Sequence, residues 1–352
     1  MRRKILLGLT LVLLMGGAAF WWWTRPLPVL TVTTWAGVYG RAQAAAQMQP
    51  YGIAHRVNVR IAQWSGDLDE IRRAVKTSQY TSDVYDLELP AAITACREGL
   101  LEPLDPASLP PGADGTPAAQ DFYRGMTSEC FVASAIYAQM IVCDNCEMPA
   151  DIGQVFGAVA QGAKIALQRS ARVNLEMALL ADGVAADQVY ATLATPEGVA
   201  RAFARLDTIK ANIVWWDAMN EPVAMLKDGR AQFAAALTAS VAAAEGLTIL
   251  PQQFYEADVL AVPRGTPRKE MALDYVKYAT GSAPLAGIAR FAPFMPPRRS
   301  SMALVQQLPP APEAAFVLSQ KGMMEKSFAI DNDWWREHGD ALQARFRFWA
   351  MG

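Results

Sequence analysis

The stretch VLTVTT at residues 29–34 is rich in β-branched side chains, which predicts a β-strand. Further strands and helices alternate along the chain after it. The segments predicted as strands are 55–61, 83–89, 131–142 and 258–262, and those predicted as helices are 42–49, 67–76, 174–181 and 270–279. Because strands that alternate with helices form parallel sheets covered by those helices, the sequence predicts the α/β class.

The composition favours a folded, mildly acidic protein. Apolar residues make up 52% of the 352 residues and charged residues 19%, so the chain can bury a large core and is long enough for two domains. The formal net charge is −2. We therefore expect no nucleic-acid partner, since proteins that bind nucleic acids present strongly basic surfaces.

Sequence motifs for catalysis are missing. The sequence contains no Walker loop, no G-x-G-x-x-G, no H-E-x-x-H and no G-x-S-x-G. His55 and His338 are the only histidines and lie far apart, which disfavours a histidine-based triad or metal site. We expect no catalytic residue, cofactor or metal. An enzyme that uses carboxylates or the C-x-x-C stretch at residues 143–146 is the least favoured alternative.

The first 23 residues predict export. Three basic residues at positions 2–4 precede a run of 19 uncharged residues, 5–23, and Ala19 offers a cleavage point. The run is also nearly long enough to span a bilayer, and the tryptophans at 21–23 suit a membrane interface. Residues 1–23 are thus either a cleaved signal peptide or an uncleaved anchor that contacts the membrane. Both place the protein in the periplasm, secreted or tethered to the inner membrane.

In an exported protein, the four cysteines are candidates for two disulfides. They are Cys96, Cys130, Cys143 and Cys146, and three pairings are possible. A short loop between Cys143 and Cys146 is the obvious choice, which leaves Cys96 for Cys130. A redox C-x-x-C and a four-cysteine zinc site are the lesser alternatives.

Several stretches resemble one family in order and spacing. They are residues 31–39, 85–88, 96–105, 175–184, 194–198, 206–210, 214–216, 258–267, 335–340 and 345–349. Together they resemble bacterial extracellular solute-binding proteins of the spermidine/putrescine ABC-transporter class. The likeness covers nearly all of the chain after the export segment.

This resemblance implies a two-lobed, type II periplasmic-binding-protein fold with a ligand cleft between the lobes. Lobe one would comprise residues 29–134 plus 259–302, and lobe two residues 135–258 plus 303–352. The protein would be a monomer that closes on a polyamine or related small cationic amine and presents it to an ABC permease in the inner membrane. A membrane-anchored sensory or scaffold derivative with altered or lost ligand binding is the alternative.

A cleft for an amine needs carboxylates for the charge and aromatic faces for cation–π contact, worth about 0.5–2 kcal/mol each. By resemblance, Asp258 matches the amine-binding aspartate of the family, and Glu256 shares its strand face. The full set of candidate ligand-binding residues is Trp35, Tyr39, Glu88, Tyr137, Trp215, Glu256, Asp258 and Phe294.

Several positions depart from the family pattern, among them the stretch 228–232 and Cys143, which stands where relatives tend to carry tyrosine. Leu237 stands where relatives carry an aromatic residue, and Phe294 keeps a ring but lacks the hydroxyl of a tyrosine. Another cationic amine or an amino acid-like compound is therefore an alternative ligand.

Overall fold

The computed structural model describes residues 25–323 and 326–351, and strands alternate with helices over most of this length. The nine strands within it are β1 (Val29–Thr34), β2 (Asn58–Gln63), β3 (Val84–Glu88), β4 (Phe131–Asp144), β5 (Ile165–Gln168), β6 (Ile213–Trp216), β7 (Phe233–Leu237), β8 (Leu247–Ala261) and β9 (Phe328–Ala329).

The described residues form sixteen α-helices, which lie between and after the strands in the chain. They are α1 (Val38–Gln43), α2 (Gln49–His55), α3 (Asp69–Thr77), α4 (Leu89–Arg97), α5 (Ala118–Asp121), α6 (Ile152–Ala160), α7 (Asn174–Ala181), α8 (Val189–Leu193), α9 (Pro196–Asp207), α10 (Glu221–Lys227), α11 (Thr238–Ala242), α12 (Lys269–Ala279), α13 (Ser282–Ile288), α14 (Arg299–Val305), α15 (Pro312–Ser319) and α16 (Asn332–Met351). A π-helical segment, Ala44–Met48, joins α1 to α2.

The sheet consists of two parallel ladders joined by long antiparallel strands. The strand order is β2-β1-β3-β8-β4-β7-β5-β6, and β9 pairs with β8. β1 runs parallel to β2 and β3, and β5 runs parallel to β6 and β7. Between them, β4 and β8, of 14 and 15 residues, pair antiparallel.

The register of β4 and β8 decides which side chains meet at the centre of the molecule. Ala135 lies opposite Asp258, and Tyr137 lies opposite Glu256. Because side chains alternate between the two faces of a strand, Asp258 and Glu256 lie on the same face of β8. The pairing is irregular between Ala133 and Ala135, next to the Asp258 position.

The apolar side chains form separate cores around the two parallel ladders. One core contains Leu30, Val32 and Leu87 of β1 and β3 together with helical side chains such as Tyr275 of α12. The other contains Leu167 of β5 together with Phe156 and Phe346 of α6 and α16. Burial of this kind stabilises by about 25 cal/mol for each Å² of apolar surface. The two cores are therefore separate and are joined by β4 and β8.

The predicted elements are observed with the predicted type, but several of their boundaries differ. The strand predicted over 258–262 is the end of β8, which begins at Leu247, and the helix predicted over 42–49 is the middle of a helical segment that runs from Val38 to His55. The strand predicted over 55–61 begins at Asn58, because α2 continues to His55 and Arg56 ends it in the left-handed conformation, with φ 54°. His55 stacks on Tyr51 with ring centroids 4.2 Å apart, and His338 stacks on Trp334 at 4.4 Å. Both histidines therefore pack against aromatic rings.

The cysteines are joined in two disulfides. Cys96 pairs with Cys130 across 34 residues and ties α4 to the start of β4. Cys143 pairs with Cys146 just beyond β4, so both thiols of the C-x-x-C stretch are engaged. The predicted export segment, residues 1–23, lies outside the described residues. Within 25–323 and 326–351, no helix is both long and apolar enough to cross a membrane.

Candidate functional site

Two buried aspartates stand at the centre of the site. Asp86 of β3 is fully buried, and Asp258 of the adjacent strand β8 is 6% exposed. The Asp86 carboxylate accepts hydrogen bonds from Thr34 Oγ1 and Ser134 Oγ, both at 3.3 Å. Gln43 and Tyr39 also hydrogen bond to this carboxylate, but all of these donors are neutral, whereas a buried negative charge usually has a cationic partner.

The electrostatics of this acidic pair favour protonation in the ligand-free protein. Burial raises the pKa of Asp86 to about 7, although hydrogen bonds from its polar neighbours act in the opposite direction. Burial also raises the pKa of Asp258 well above its ordinary value, and the charges of Asp86, Glu88 and Glu256 raise it further. A cation placed between these carboxylates would reverse both effects.

Aromatic side chains surround the acidic pair. The Trp35 indole lies beside Asp258, and its N–H donor partly offsets the rise in the pKa of this carboxyl. The hydroxyl of buried Tyr39 lies 2.8 Å from Ser134 Oγ, and its ring packs 4.9 Å from Phe294. The structure therefore brings Trp35, Tyr39 and Phe294 to the same end of the cleft.

The loop after β1 positions this aromatic wall. Gly37 adopts a φ of 85°, a conformation that favours glycine. A Cβ on Gly40 would lie only 2.1 Å from the carbonyl oxygen of Trp35. The close approach of the chain at Gly40 thus fixes the backbone that carries Trp35.

A second set of polar side chains, formed by Tyr137, Glu256 and Arg172, lies on the same face of β8 next to the acidic pair. Tyr137 donates a hydrogen bond to Glu256 at 3.1 Å, and Arg172 forms an ion pair with Glu256 and a hydrogen bond with Asn332. Burial and the charge of Glu256 raise the pKa of Tyr137 well above its ordinary value. Arg172 is the basic side chain that sequence analysis missed.

This second set of polar side chains borders a small cavity of about 170 Å³. The cavity is lined by Tyr137, Gln139, Gln168, Ser170, Arg172, Val173, Leu237, Phe254 and Glu256. Two buried donors in this lining, Gln139 Nε2 and Arg172 Nε, make no hydrogen bond within the described residues. An unused guanidinium N–H and an unused amide N–H in one cavity are suitable donors to a carboxylate.

Arg172 is held in place by an unusual backbone. It follows β5 at the carboxyl end of a parallel strand, a common position for ligand sites in α/β proteins. The next residue, Val173, has a φ of 70°, which is rare for a β-branched side chain. Asn174 Nδ2 braces the turn by donating to the Gln168 and Ser170 carbonyl oxygens, at 2.8 and 2.6 Å. Strain of this kind is concentrated at functional sites.

The remaining predicted residues occupy different places. Glu88 ends β3 opposite Asp258, and its pKa is raised by desolvation and by the charge of Glu256. Trp215 instead packs its ring against Phe346 and Trp349 of α16, at 5.7 and 6.0 Å. Asp86, by contrast, was missed, although the stretch 85–88 was part of the resemblance.

Fold and site together define a solute-binding protein. The family model for bacterial extracellular solute-binding proteins matches residues 42–315, and the chain belongs to this family. It is 32% identical over 334 residues to a gamma-aminobutyric acid-binding protein of Pseudomonas aeruginosa, covering 91% of this chain and 90% of the relative.

Solved structures agree on the fold. The Atu4243-GABA receptor superposes with a TM-score of 0.75 at 26% identity, covering 91% of this chain and 97% of that one. A spermidine/putrescine ABC transporter substrate-binding protein of Streptococcus pneumoniae superposes with a TM-score of 0.69 at 14% identity, covering 92% and 99%. The second likeness shows the fold alone.

These comparisons confirm the predicted α/β periplasmic-binding-protein fold and the predicted class. The chain is an extracellular solute-binding protein, and its family consists of binding proteins rather than enzymes. The resemblance named the polyamine class, whereas the relative at 32% identity carries the name of a gamma-aminobutyric acid-binding protein.

Proposed function

We propose that this chain binds a small solute with a cationic amine at one end and a carboxylate at the other, of which gamma-aminobutyric acid (GABA) is the leading candidate. The observation that carries this proposal is the placement, side by side on one face of β8, of an acidic pair with no cationic partner among the described residues and of a cavity lined by Arg172. A dication such as putrescine would match only the first of these.

The amine end of the solute would bind Asp258 and Asp86. Both carboxylates are buried, and burial raises the pKa of each of them. An alkylammonium group supplies the missing positive charge, and Trp35 and Tyr39 supply ring faces beside it. This half of the site is common to a polyamine and to an amino acid.

The carboxylate end would bind Arg172 and Gln139. Their buried donors Arg172 Nε and Gln139 Nε2 make no hydrogen bond within the described residues, and both line the cavity of about 170 Å³. Arginine presents its donors in a planar fork that matches a carboxylate. Leu237, which replaces an expected aromatic residue, lines the same cavity and gives no cation–π contact to a second amine.

The spacing of the two ends suits a short ω-amino acid. Asp258 and Glu256, the partner of Arg172, are two residues apart on β8, which corresponds to about 7 Å along the strand. The five bonds from the nitrogen of GABA to a carboxylate oxygen, at about 1.5 Å each along an extended zigzag chain, span roughly 6 Å, which is similar. The 32% identical relative and the Atu4243-GABA receptor support the same choice of ligand.

We also propose that closure occurs between lobe one, residues 29–134 plus 259–302, and lobe two, residues 135–258 plus 303–352. One refinement follows from the packing. Val305, Ala314 and Val317 lie in the core around β1 and β3, so the segment up to Val317 is better assigned to lobe one. A ligand that contacts both lobes stabilises the closed form over the open form.

Calorimetric titration with GABA, putrescine and butyrate tests the ligand. We expect the purified chain to bind GABA, and Asp258→Asn to weaken it at least tenfold, which is about 1.4 kcal/mol. Arg172→Met should weaken GABA by about 100-fold, because it removes a charge-assisted contact, yet leave any putrescine binding unchanged. Arg169→Met is the matched control, since this nearby arginine lies 3.6 Å from exposed Asp217.

Two results would contradict the proposal. If putrescine bound more tightly than GABA, a polyamine would be the better candidate ligand. Equal losses in the two arginine variants would show that Arg172 acts only on stability, which thermal melting of each variant would register.

A further inference from the structure

A large groove lies at the edge of the sheet, far along the strand order from β4. It has a volume of about 1070 Å³ and runs between α2 and the edge strand β2. Three large apolar side chains in its lining are exposed, with Leu27 at 42%, Ile53 at 82% and Ile61 at 54%. Exposed apolar side chains gathered in one groove are typical of an interaction surface.

The charged side chains of this groove all have one sign. Arg25, Arg56 and Arg60 line it, and the lining formed by residues 25–61 contains no aspartate or glutamate. The whole chain has a formal net charge of −2, so a general excess of basic residues does not explain this. Arginines around apolar side chains are typical of surfaces that contact anionic membranes.

The chain enters the described structure at this groove. Arg25 is the first described residue and is part of the lining. The uncharged run 5–23 ends two residues earlier, which leaves at most about 7 Å of extended chain between them. If that run stays in the bilayer, the groove is held at the membrane surface.

We propose that this groove is a docking surface for anionic phospholipid headgroups, with Arg56 and Arg60 contacting the phosphates and Ile53 and Ile61 inserting at the interface. The surface lies on the β1–β3 ladder and away from the acidic pair and Arg172. Docking would hold the protein on the membrane that carries its permease, whichever solute it binds.

Hydrogen exchange of the full chain in the presence of vesicles tests this docking. β2 is an edge strand, paired only with β1, so docking should slow exchange of the backbone amides in 52–63. We expect slowing on vesicles with about one third phosphatidylglycerol and none on pure phosphatidylcholine. Residues 2–4 are basic and also favour the anionic membrane, so a variant that keeps them and changes only the groove is needed to isolate the groove.

Charge reversal then tests the arginines. Arg56→Glu with Arg60→Glu should abolish the slowing, with a loss of about fivefold in vesicle affinity for each arginine removed. Arg73→Glu with Lys76→Glu on α3 is the matched control, because both residues are exposed and lie outside the groove lining. Added salt should also weaken the effect.

The proposal is supported if anionic vesicles slow amide exchange in the natural protein and in the control variant but not in the groove variant. Equal slowing on both lipids, no slowing at all, or equal loss in the control variant overturns it. Slowing that requires the permease in the vesicle overturns it too, since the surface would then bind protein. A thermal melt checks that the charge-reversed variant is folded. An Ile53→Ser variant provides a second test of the groove that leaves its charge unchanged.

Discussion

Replacing Asp86 by asparagine isolates the buried charge on which the proposed amine site depends. Asparagine is almost the same size and can still accept hydrogen bonds from Thr34 and Ser134, but it carries no charge. We expect the variant to be more stable than the natural protein at pH 8 when no ligand is present. It should also bind a cationic ligand at least tenfold more weakly.

The magnitude follows from the raised pKa of Asp86, about 7 against an ordinary value of 3.8. Between these two pH values the folded protein binds more protons than the unfolded chain, so stability falls as the pH rises through this window and levels off above about 7. At about 1.4 kcal/mol for each pH unit, the loss approaches 4 kcal/mol. A weaker hydrogen bond in the variant costs about 1 kcal/mol, which leaves a gain of about 3 at pH 8.

Urea unfolding of the ligand-free protein at pH 5 and pH 8, followed by tryptophan fluorescence, measures this directly. At pH 5 Asp86 is still mostly protonated, so the gain should be below about 1 kcal/mol. Asp83→Asn is the matched control, because Asp83 is equally buried but accepts from Arg268 at 3.3 Å and from the Thr31 N–H at 2.9 Å. That variant should lose stability at both pH values.

The reasoning would be refuted if Asp86→Asn destabilised the protein at pH 8 as Asp83→Asn does. It would also be refuted if the stability of the natural protein were the same at pH 5 and pH 8. Either result would mean that Asp86 is already neutralised in the ligand-free protein. The carboxylates would then give no preference for a cationic ligand.

Three more expectations concern binding, the disulfides and one ion pair. GABA should bind more tightly as the pH rises from 5 to about 7, by up to about tenfold per pH unit, because a proton must leave the acidic pair. Titration in buffers of different ionisation heat would detect the released proton. An affinity that does not change with pH would argue against this expectation. Replacing Cys96 and Cys130 by serine should lower the free energy of unfolding, measured by chemical denaturation, by about 4 kcal/mol. Replacing Cys143 and Cys146 should lower it by about 2 kcal/mol, because the longer loop restricts the unfolded chain more. Equal losses would contradict the loop argument. Arg97→Ala removes an ion pair of 2.6 Å with Asp333 that is about half exposed, so it should cost less than about 1 kcal/mol and nothing measurable at 1 M salt.

The sequence could predict elements whose signal is local. The β-branched residues of VLTVTT define β1 at its observed bounds, and the helix predicted over 174–181 is observed there as α7. The short apolar alternation before Asn58 was misread, because residues 55–57 belong to a helix end. Local patterns identify an element more reliably than its boundary.

The candidate site depends on contacts that no local pattern contains. Trp35 and Tyr39 could be selected because the resemblance pointed to them. Asp86 looks like any residue of a short strand until β8 is placed beside it. Arg172 lies in a loop with no distinctive neighbours. Its importance depends on Glu256, 84 residues later in the chain, and on Asn332 of α16.

The strand that carries Asp258 also joins the two cores, so in the proposed closure this strand would connect the charge of the ligand to the movement of the lobes. β8 pairs with β3 at Asp258 and with β4 along most of its length, so a shift between the ladders changes the surroundings of both aspartates. In the ligand-free protein, burial raises the pKa of Asp258 and the charge of Asp86 raises it further, so bringing the two carboxylates together is opposed while both are ionised. A bound ammonium group removes this repulsion only where both carboxylates reach it. A solute therefore favours closure by the difference between its contacts in the closed and open forms, and a neutral analogue that fills the same space should close the cleft poorly.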